Sequence, residues 1–192
     1  MKNKTDIFKM VHTSLSNGIR AGKTKDARTW LESKALSIEL TGACFCSGQL
    51  HHRKEQNFIN ELSSIRFLIP SDAPTNTGKH GFTSFGKEAI VFALKNDKNE
   101  TVNFYAIRIC LDAQPTEYLN DEGIYPSYPH PLTTKLYITT SILDASTLLE
   151  SRILDNRDAV ISLHDGELKD QHINAIKNLT QLQQIILIKT TE

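Results

Sequence analysis

From Lys135 to the last residue, short apolar runs alternate with amphipathic segments, and this alternation restricts the fold more than any other feature of the chain. Leu136-Tyr-Ile-Thr139, Ala159-Val-Ile-Ser-Leu163 and Ile185-Ile-Leu-Ile188 are too short for buried helices and rich in strand-forming residues. Between them, Ser141 to Ser151 has helical character, and Leu168, His172, Ala175, Ile176 and Leu179 fall on one face of a second helix. Continuous apolar strands joined by helical crossovers build a parallel sheet covered on both faces. The pattern therefore predicts a three-stranded parallel layer flanked by two helices.

The preceding part of the chain has a different rhythm. Ile7, Met10, Val11 and Leu15 form one helical stripe behind a Thr5 or Asp6 cap, predicting a helix from Thr5 to about Leu15. Further helices are predicted from Lys25 to Ala35 and from Glu55 to Phe67, and Pro70, Pro74 and Gly78 then mark a loop. Two β-rich runs follow, Ala89 to Leu94 and Val102 to Ile109, joined by the polar Lys95-Asn-Asp-Lys-Asn-Glu100, so they are predicted as antiparallel partners. Prolines 115, 126, 129 and 131 punctuate a connector from Asp112 to Thr134. The fold class is α/β: an α+β N-terminal subdomain with an antiparallel hairpin, then the parallel α/β subdomain. The divisions are a basic helix or linker at 1–26, the α+β subdomain at 27–131 and the parallel subdomain at 132–192.

Charge narrows the partners. Lys and Arg together number 22, equal to Asp and Glu, but the distribution is uneven. Within the first 28 residues Lys2, Lys4, Lys9, Arg20, Lys23, Lys25 and Arg28 oppose only Asp6 and Asp26. Such an end can track a phosphate backbone; a solvated helix face is the favoured reading of charge alone. No apolar run approaches the roughly 18 residues needed to cross a bilayer, and the first residues carry no secretory pattern. The expected location is the cytoplasm, without a membrane partner. Three cysteines, Cys44, Cys46 and Cys110, imply free thiols in a reducing compartment. A zinc site from Cys44, Cys46, His51 and His52 is disfavoured, because both pairs are spaced too tightly. Neither a nucleophile elbow nor a phosphate-binding glycine loop is present, which argues against hydrolase and nucleoside-triphosphatase chemistry.

Five segments, in order, carry a resemblance: Gly42-Ala-Cys-Phe-Cys-Ser-Gly-Gln-Leu-His-His-Arg-Lys54, Phe85-Gly-Lys-Glu-Ala-Ile-Val-Phe-Ala-Leu-Lys95, Tyr118-Leu-Asn120, Gly123-Ile-Tyr-Pro-Ser-Tyr-Pro129 and Lys135-Leu-Tyr-Ile-Thr-Thr-Ser-Ile-Leu-Asp144. Together they resemble the catalytic core of bacterial-type DNA primases, most closely the primase-like proteins of mobile elements. The resemblance covers nearly the whole chain from about Ala27. It implies an N-terminal subdomain whose basic face holds a single-stranded template and a Toprim subdomain that binds Mg²⁺ for nucleotide addition. Hard cations of this kind take clustered carboxylates.

Here the pattern departs from the family where the metal would sit. The Glu expected after the first strand of the parallel layer is Thr140, and the Asp-x-Asp expected after the third falls on Thr190-Thr-Glu192. Asp144 agrees with the family's Asp a turn into the helix, and His172 also agrees; His164-Asp165 stands where the family has Gly-Thr. Asp144 and Glu192 are thus the weak metal candidates, and no cofactor is expected for this chain, against Mg²⁺ in the family. The resemblance implies a nucleotidyltransferase scaffold, cut before the Asp-x-Asp motif and inactive by itself, with single-stranded DNA as the expected ligand. His51, His52, Arg53, Lys54, Lys87, Lys95 and Arg108 are the candidate nucleic-acid contacts, and Tyr105, Tyr118, Tyr125 and Tyr128 are aromatic side chains set against a packing role. The alternative is a protein-interaction module derived from a primase fragment, with a companion replication or mobile-element protein as its partner.

Overall fold

The computed structural model describes residues 2–21, 24–52, 54–74, 80–110 and 114–189. The chain opens with α1 (Lys4–Arg20), capped by the Asn3 side chain, which accepts the Asp6 N–H at 2.7 Å. Its buried stripe of Ile7, Phe8, Val11, Leu15 and Ile19 lies on a sheet. The helix runs past the predicted end at Leu15. Gly18 permits this, since a Cβ there would stand 2.9 Å from the Phe45 carbonyl oxygen. The glycine serves close helix–strand approach rather than helix termination.

Next come α2 (Lys25–Ser33), α3 (Ile38–Thr41), β1 (Cys44–Cys46) and α4 (Gln56–Ser64). The expected loop around Pro70 and Pro74 is instead a hairpin of β2 (Leu68–Pro74) and β3 (His80–Ser84). A two-stranded ribbon exposes one edge of each strand, where proline's missing N–H costs nothing, and its register shifts between Ser71 and Pro74. Then β4 (Ala89–Lys95) and β5 (Thr101–Arg108) pair antiparallel, as their patterns predict, with Ala89 opposite Arg108. Within the connector, β6 (Thr116–Tyr118) joins β5, giving a sheet of order β1-β4-β5-β6.

The antiparallel sheet is buried on both faces. Ala89, Val91 and Ala93 face one cluster with Phe8, Leu62, Phe67 and Phe104, beneath α1 and α4. Ile90, Phe92 and Leu94 face a second cluster that takes in Ile142, Ala145, Leu148 and Val160 from the C-terminal part. This double burial explains why β4 reads as an unbroken apolar run although its partners are antiparallel.

The C-terminal part is the predicted layer. β7 (Lys135–Thr139), α5 (Ile142–Ser151), β8 (Asp158–Ser162), α6 (Asp170–Lys177) and β9 (Gln184–Ile188) follow in turn. The strands are parallel in the order β8-β7-β9. Leu136, Ile138 and Ile161 pack with Ala175 and Leu179 on the α6 side, while Val160 packs with Ala145 and Leu148 on the α5 side. The Tyr125 hydroxyl fastens the two parts together, donating to the Thr41 carbonyl at 2.8 Å and meeting Ser146 Oγ at 2.8 Å. Among the described residues no helix is long and apolar enough to cross a membrane.

Candidate nucleic-acid interface

Strand register decides which cations can act together. Cys46 lies opposite Ala89, and Ala89 opposite Arg108, so the loop after β1, the turn before β4 and the end of β5 occupy one end of the antiparallel sheet. The loop carries His51, His52 and Lys54; the turn carries Lys87. Their junction is tight. Gly48 sits at φ +77° with the Lys87 stem against it, and a Cβ there would fall 2.5 Å from Lys87 Cγ. His51 meets His52 edge-on, ring centroids 4.6 Å apart, and Phe82 of the hairpin at 6.2 Å. Burial, then the neighbouring His52, lowers the His51 pKa. The Lys54 ammonium stands 5.7 Å from the centre of the Phe58 ring, a cation–π distance that leaves the charge at the surface.

The other sequence candidates are placed differently. Arg108 is at the same end, but its guanidinium pairs with Glu117 at 3.0 Å, and the same carboxylate oxygen accepts the Gly86 N–H at 3.1 Å. Lys95 lies at the opposite end of β4, roughly 20 Å away along the strand. There it donates to Thr101 Oγ1 at 2.9 Å, half-buried beneath α1, and burial lowers its pKa. Arg53 lies outside the described residues. Tyr105 and Tyr125 are buried in the core, and Tyr118 and Tyr128 are half-buried.

Arg66 was not among the sequence candidates. It is exposed between α4 and β2 at φ +62°, and the carbonyl of the next residue, Phe67, accepts the Phe85 N–H at 2.9 Å. That bond brings Arg66 to the turn bearing Lys87. His51, His52, Lys54, Arg66 and Lys87 therefore share one end of the sheet, with the exposed Glu55 and Glu88 and the Arg108-paired Glu117 as the local acids. Cysteine does not contribute a metal site here: Cys44 meets Ser16 Oγ at 3.1 Å, Cys46 donates to the Phe85 carbonyl at 3.4 Å, and burial raises the pKa of both thiols.

The second place to examine is the carboxyl end of the parallel sheet, where ligands of open α/β folds usually bind. Thr140 follows β7, and its carbonyl accepts the Gly166 N–H at 3.1 Å. Ser141 caps α5 by accepting the Asp144 N–H at 3.1 Å, and its hydroxyl donates to Asp144 Oδ2 at 2.7 Å. The Asp144 carboxylate thus accepts from, and orients, the hydroxyl that caps the helix. Beside it, rings form a continuous ladder from the first sheet to the second. Tyr105 to Tyr118 is 4.6 Å, Tyr118 to His164 4.5 Å and His164 to His172 5.3 Å.

Both histidines are buried and hold backbone groups through their rings. His172 Nδ1 accepts the Lys169 N–H at 3.0 Å, so its proton sits on Nε2, 3.1 Å from the Ser162 carbonyl. A second proton would oppose a backbone donor, and burial followed by His164 holds the pKa down at about 4. His164 Nε2 lies 3.0 Å from the Gly123 carbonyl, and burial lowers its pKa as well. Burial, then Tyr105 and Asp165, raises the pKa of Tyr118.

These residues do not fit a magnesium ion. Thr140 supplies a neutral hydroxyl where a carboxylate is needed, Asp144 is engaged in capping, and Glu192 lies outside the described residues. Among the described residues, no three His, Cys, Asp or Glu side chains are placed to hold a metal.

No family model matches the sequence, and no curated protein matches it. Solved structures do match in shape. A DnaG primase catalytic domain bound to ssDNA superposes with a TM-score of 0.75 over 96% of this chain and 60% of that one, at 12% identity. The fold is that of a primase catalytic core. The E. coli primase catalytic core gives 0.75 at 13% identity, over 96% of this chain and 61% of its own. The RNA polymerase domain of Mycobacterium tuberculosis DnaG in complex with double-stranded DNA gives 0.66 at 10%, over 97% and 62%. The chain thus spans about three fifths of the primase structures it matches, and at such identities the likeness concerns architecture.

Proposed function

We propose that this chain is a primase-like protein of DNA replication that binds single-stranded nucleic acid and does not polymerise nucleotides by itself. The observation that carries the reading is the contrast between two ends of one primase-core fold. Cations and imidazoles gather at the end of the antiparallel sheet, while the carboxyl ends of the parallel strands present a hydroxyl, a helix cap and a ring ladder. Phosphate contacts need only exposed cations and donors, which His52, Lys54, Arg66 and Lys87 supply beside the half-buried His51. Nucleotide addition needs converging carboxylates around a metal. The resemblance to mobile-element primases supports a role in the replication of such an element, beside a companion protein that performs synthesis.

Fluorescence anisotropy with labelled single-stranded DNA tests the binding half. Affinity should fall steeply between low and moderate salt, because bound phosphates release counterions, and binding should persist in EDTA. Absence of binding at both salt concentrations refutes it. Mg²⁺-dependent primer synthesis by the purified chain refutes the inactive half.

A further inference from the structure

The turn that carries Lys87 is held from several sides. Between Phe85 and Ala89 four amides are bonded: Phe85 N–H donates to the Phe67 carbonyl at 2.9 Å, Gly86 N–H to Glu117 Oε1 at 3.1 Å, Glu88 N–H to the Cys46 carbonyl at 2.7 Å and Ala89 N–H to the Gly86 carbonyl at 3.1 Å. Lys87 stands between two left-handed residues, Gly86 at φ +57° and Glu88 at φ +59°. A glutamate keeps that conformation only where its surroundings over-determine it. The exposed Lys87 side chain is confined too, because its stem lies against Gly48.

Three of the four acceptors are backbone carbonyls, which any sequence would provide. The fourth is a side chain, and it crosses the sheet to reach the turn. Glu117 lies on β6 opposite Ala106 of β5, and Gly86 is so near Ala106 that a Cβ on the glycine would stand 2.9 Å from the alanine Cβ. Two small residues thus leave room for the carboxylate to bond the amide of the buried Gly86. The same oxygen accepts from the Arg108 guanidinium at 3.0 Å. An acid beside a phosphate-binding surface opposes binding by its charge. Its hydrogen bonds give it another task, and an ionised acceptor holds an amide more strongly than a neutral one.

We propose that Glu117 is a positioning residue of the nucleic-acid interface: through the Gly86 amide it fixes the turn that presents Lys87 to a phosphate, while Arg108 neutralises its charge. The role rests on the single-strand binding proposed above.

Anisotropy titrations with labelled single-stranded DNA separate position from charge. If charge ruled, Glu117→Ala would tighten binding, because it removes an acid and releases Arg108. Positioning demands the reverse: Glu117→Ala should weaken binding by about fivefold near 0.1 M salt and lower the salt slope by about 0.7, the worth of one phosphate contact to a single strand. Glu117→Asp, a milder change that keeps the charge but falls one methylene short of Gly86, should weaken binding in the same direction. Glu117→Gln keeps an oxygen for the amide without the charge and should bind at least as tightly as the native chain. In a Lys87→Ala background, Glu117→Ala should cost no further affinity. Tighter binding by Glu117→Ala, native binding by Glu117→Asp, weakening by Glu117→Gln, or an undiminished loss without Lys87 overturns the role while the binding function stands. Absence of binding by the native chain removes the function and the role together.

Discussion

The central strand of the antiparallel sheet and the outer strand of the parallel sheet have similar apolar sequences and opposite fates. β4 is packed on both faces, with Ile90, Val91, Phe92 and Leu94 wholly inaccessible, whereas β9 leaves Leu187 74% exposed. Apolar composition therefore measures the capacity for burial; the neighbouring elements determine whether it is used. In the N-terminal part α1, α4 and the α5-bearing face of the C-terminal layer converge on β4 and β5. In the C-terminal part α6 covers Leu136 and Ile138 but leaves their in-register neighbours, Ile185 and Leu187, open.

The sharpest way to break this comparison is to truncate one large apolar side chain in each sheet. Phe104 is fully buried against Phe8 and Phe67, with ring centroids at 5.6 and 6.2 Å. Phe104→Ala should cost about 3–5 kcal/mol, through lost burial and the cavity left behind. Leu187→Ala should change the stability of the monomer by less than about 0.5 kcal/mol. Urea denaturation at low protein concentration measures both, and comparable losses would mean that β9 is covered in solution.

Acid should act next most strongly, and chiefly at the joint between the sheets. The folded pKa of His172 is held at about 4 against 6.5 for the free side chain. Between those values the unfolded state binds more protons, so stability is complete above about pH 7 and is lost as pH falls toward 4. The full shift amounts to on the order of 3 kcal/mol. His12, lowered to about 4 by burial and then Lys95, adds loss in the same window. His172→Gln should therefore flatten only part of the slope of urea stability against pH between 6.5 and 4.5. An unaltered slope would remove His172 from the account.

Much of this architecture was legible in the chain. The parallel layer appears because its strands are continuous apolar runs separated by helical spacing, and β4 and β5 because a polar six-residue linker divides two such runs. The β2–β3 hairpin was hidden because Pro70 and Pro74 signal breaks, which only an isolated ribbon tolerates. α1 was shortened because its apolar stripe was followed only to Leu15, whereas Gly18 lets the helix continue to Arg20 close against Phe45. At the candidate interface the charges were visible but their grouping was not. Lys87 and Lys95 flank one strand symmetrically in sequence, and only pairing shows that Lys87 joins the His51-His52 loop while Lys95 lies beneath α1. Arg66 was missed because its position after α4 looks like an ordinary helix terminus.

That grouping is testable by altering lysine charges at the two ends of β4. Lys54→Glu with Lys87→Glu should weaken binding to single-stranded DNA by about tenfold or more and reduce the salt slope by about 1.4, the value for two lost phosphate contacts. Lys95→Gln should leave both quantities unchanged. Equal losses from the two variants would mean that the strand path runs along β4 rather than around its end.

The smallest effect concerns Asp144, and it separates a capping role from a metal-binding one. Ser141 Oγ accepts the Asp144 N–H at the start of α5 and donates to its carboxylate, so Ser141→Ala should cost about 1 kcal/mol, in the range typical of a lost cap. If Asp144 serves the helix alone, Mg²⁺ should leave the thermal midpoint unchanged in both the native chain and the variant, because an ion that binds only the folded state must raise it. A Mg²⁺-dependent rise in the native chain that disappears in Asp144→Asn would instead assign that carboxylate to a cation. It would also make the carboxyl end of the parallel sheet, rather than the cationic end of the antiparallel one, the chemically active part of the molecule.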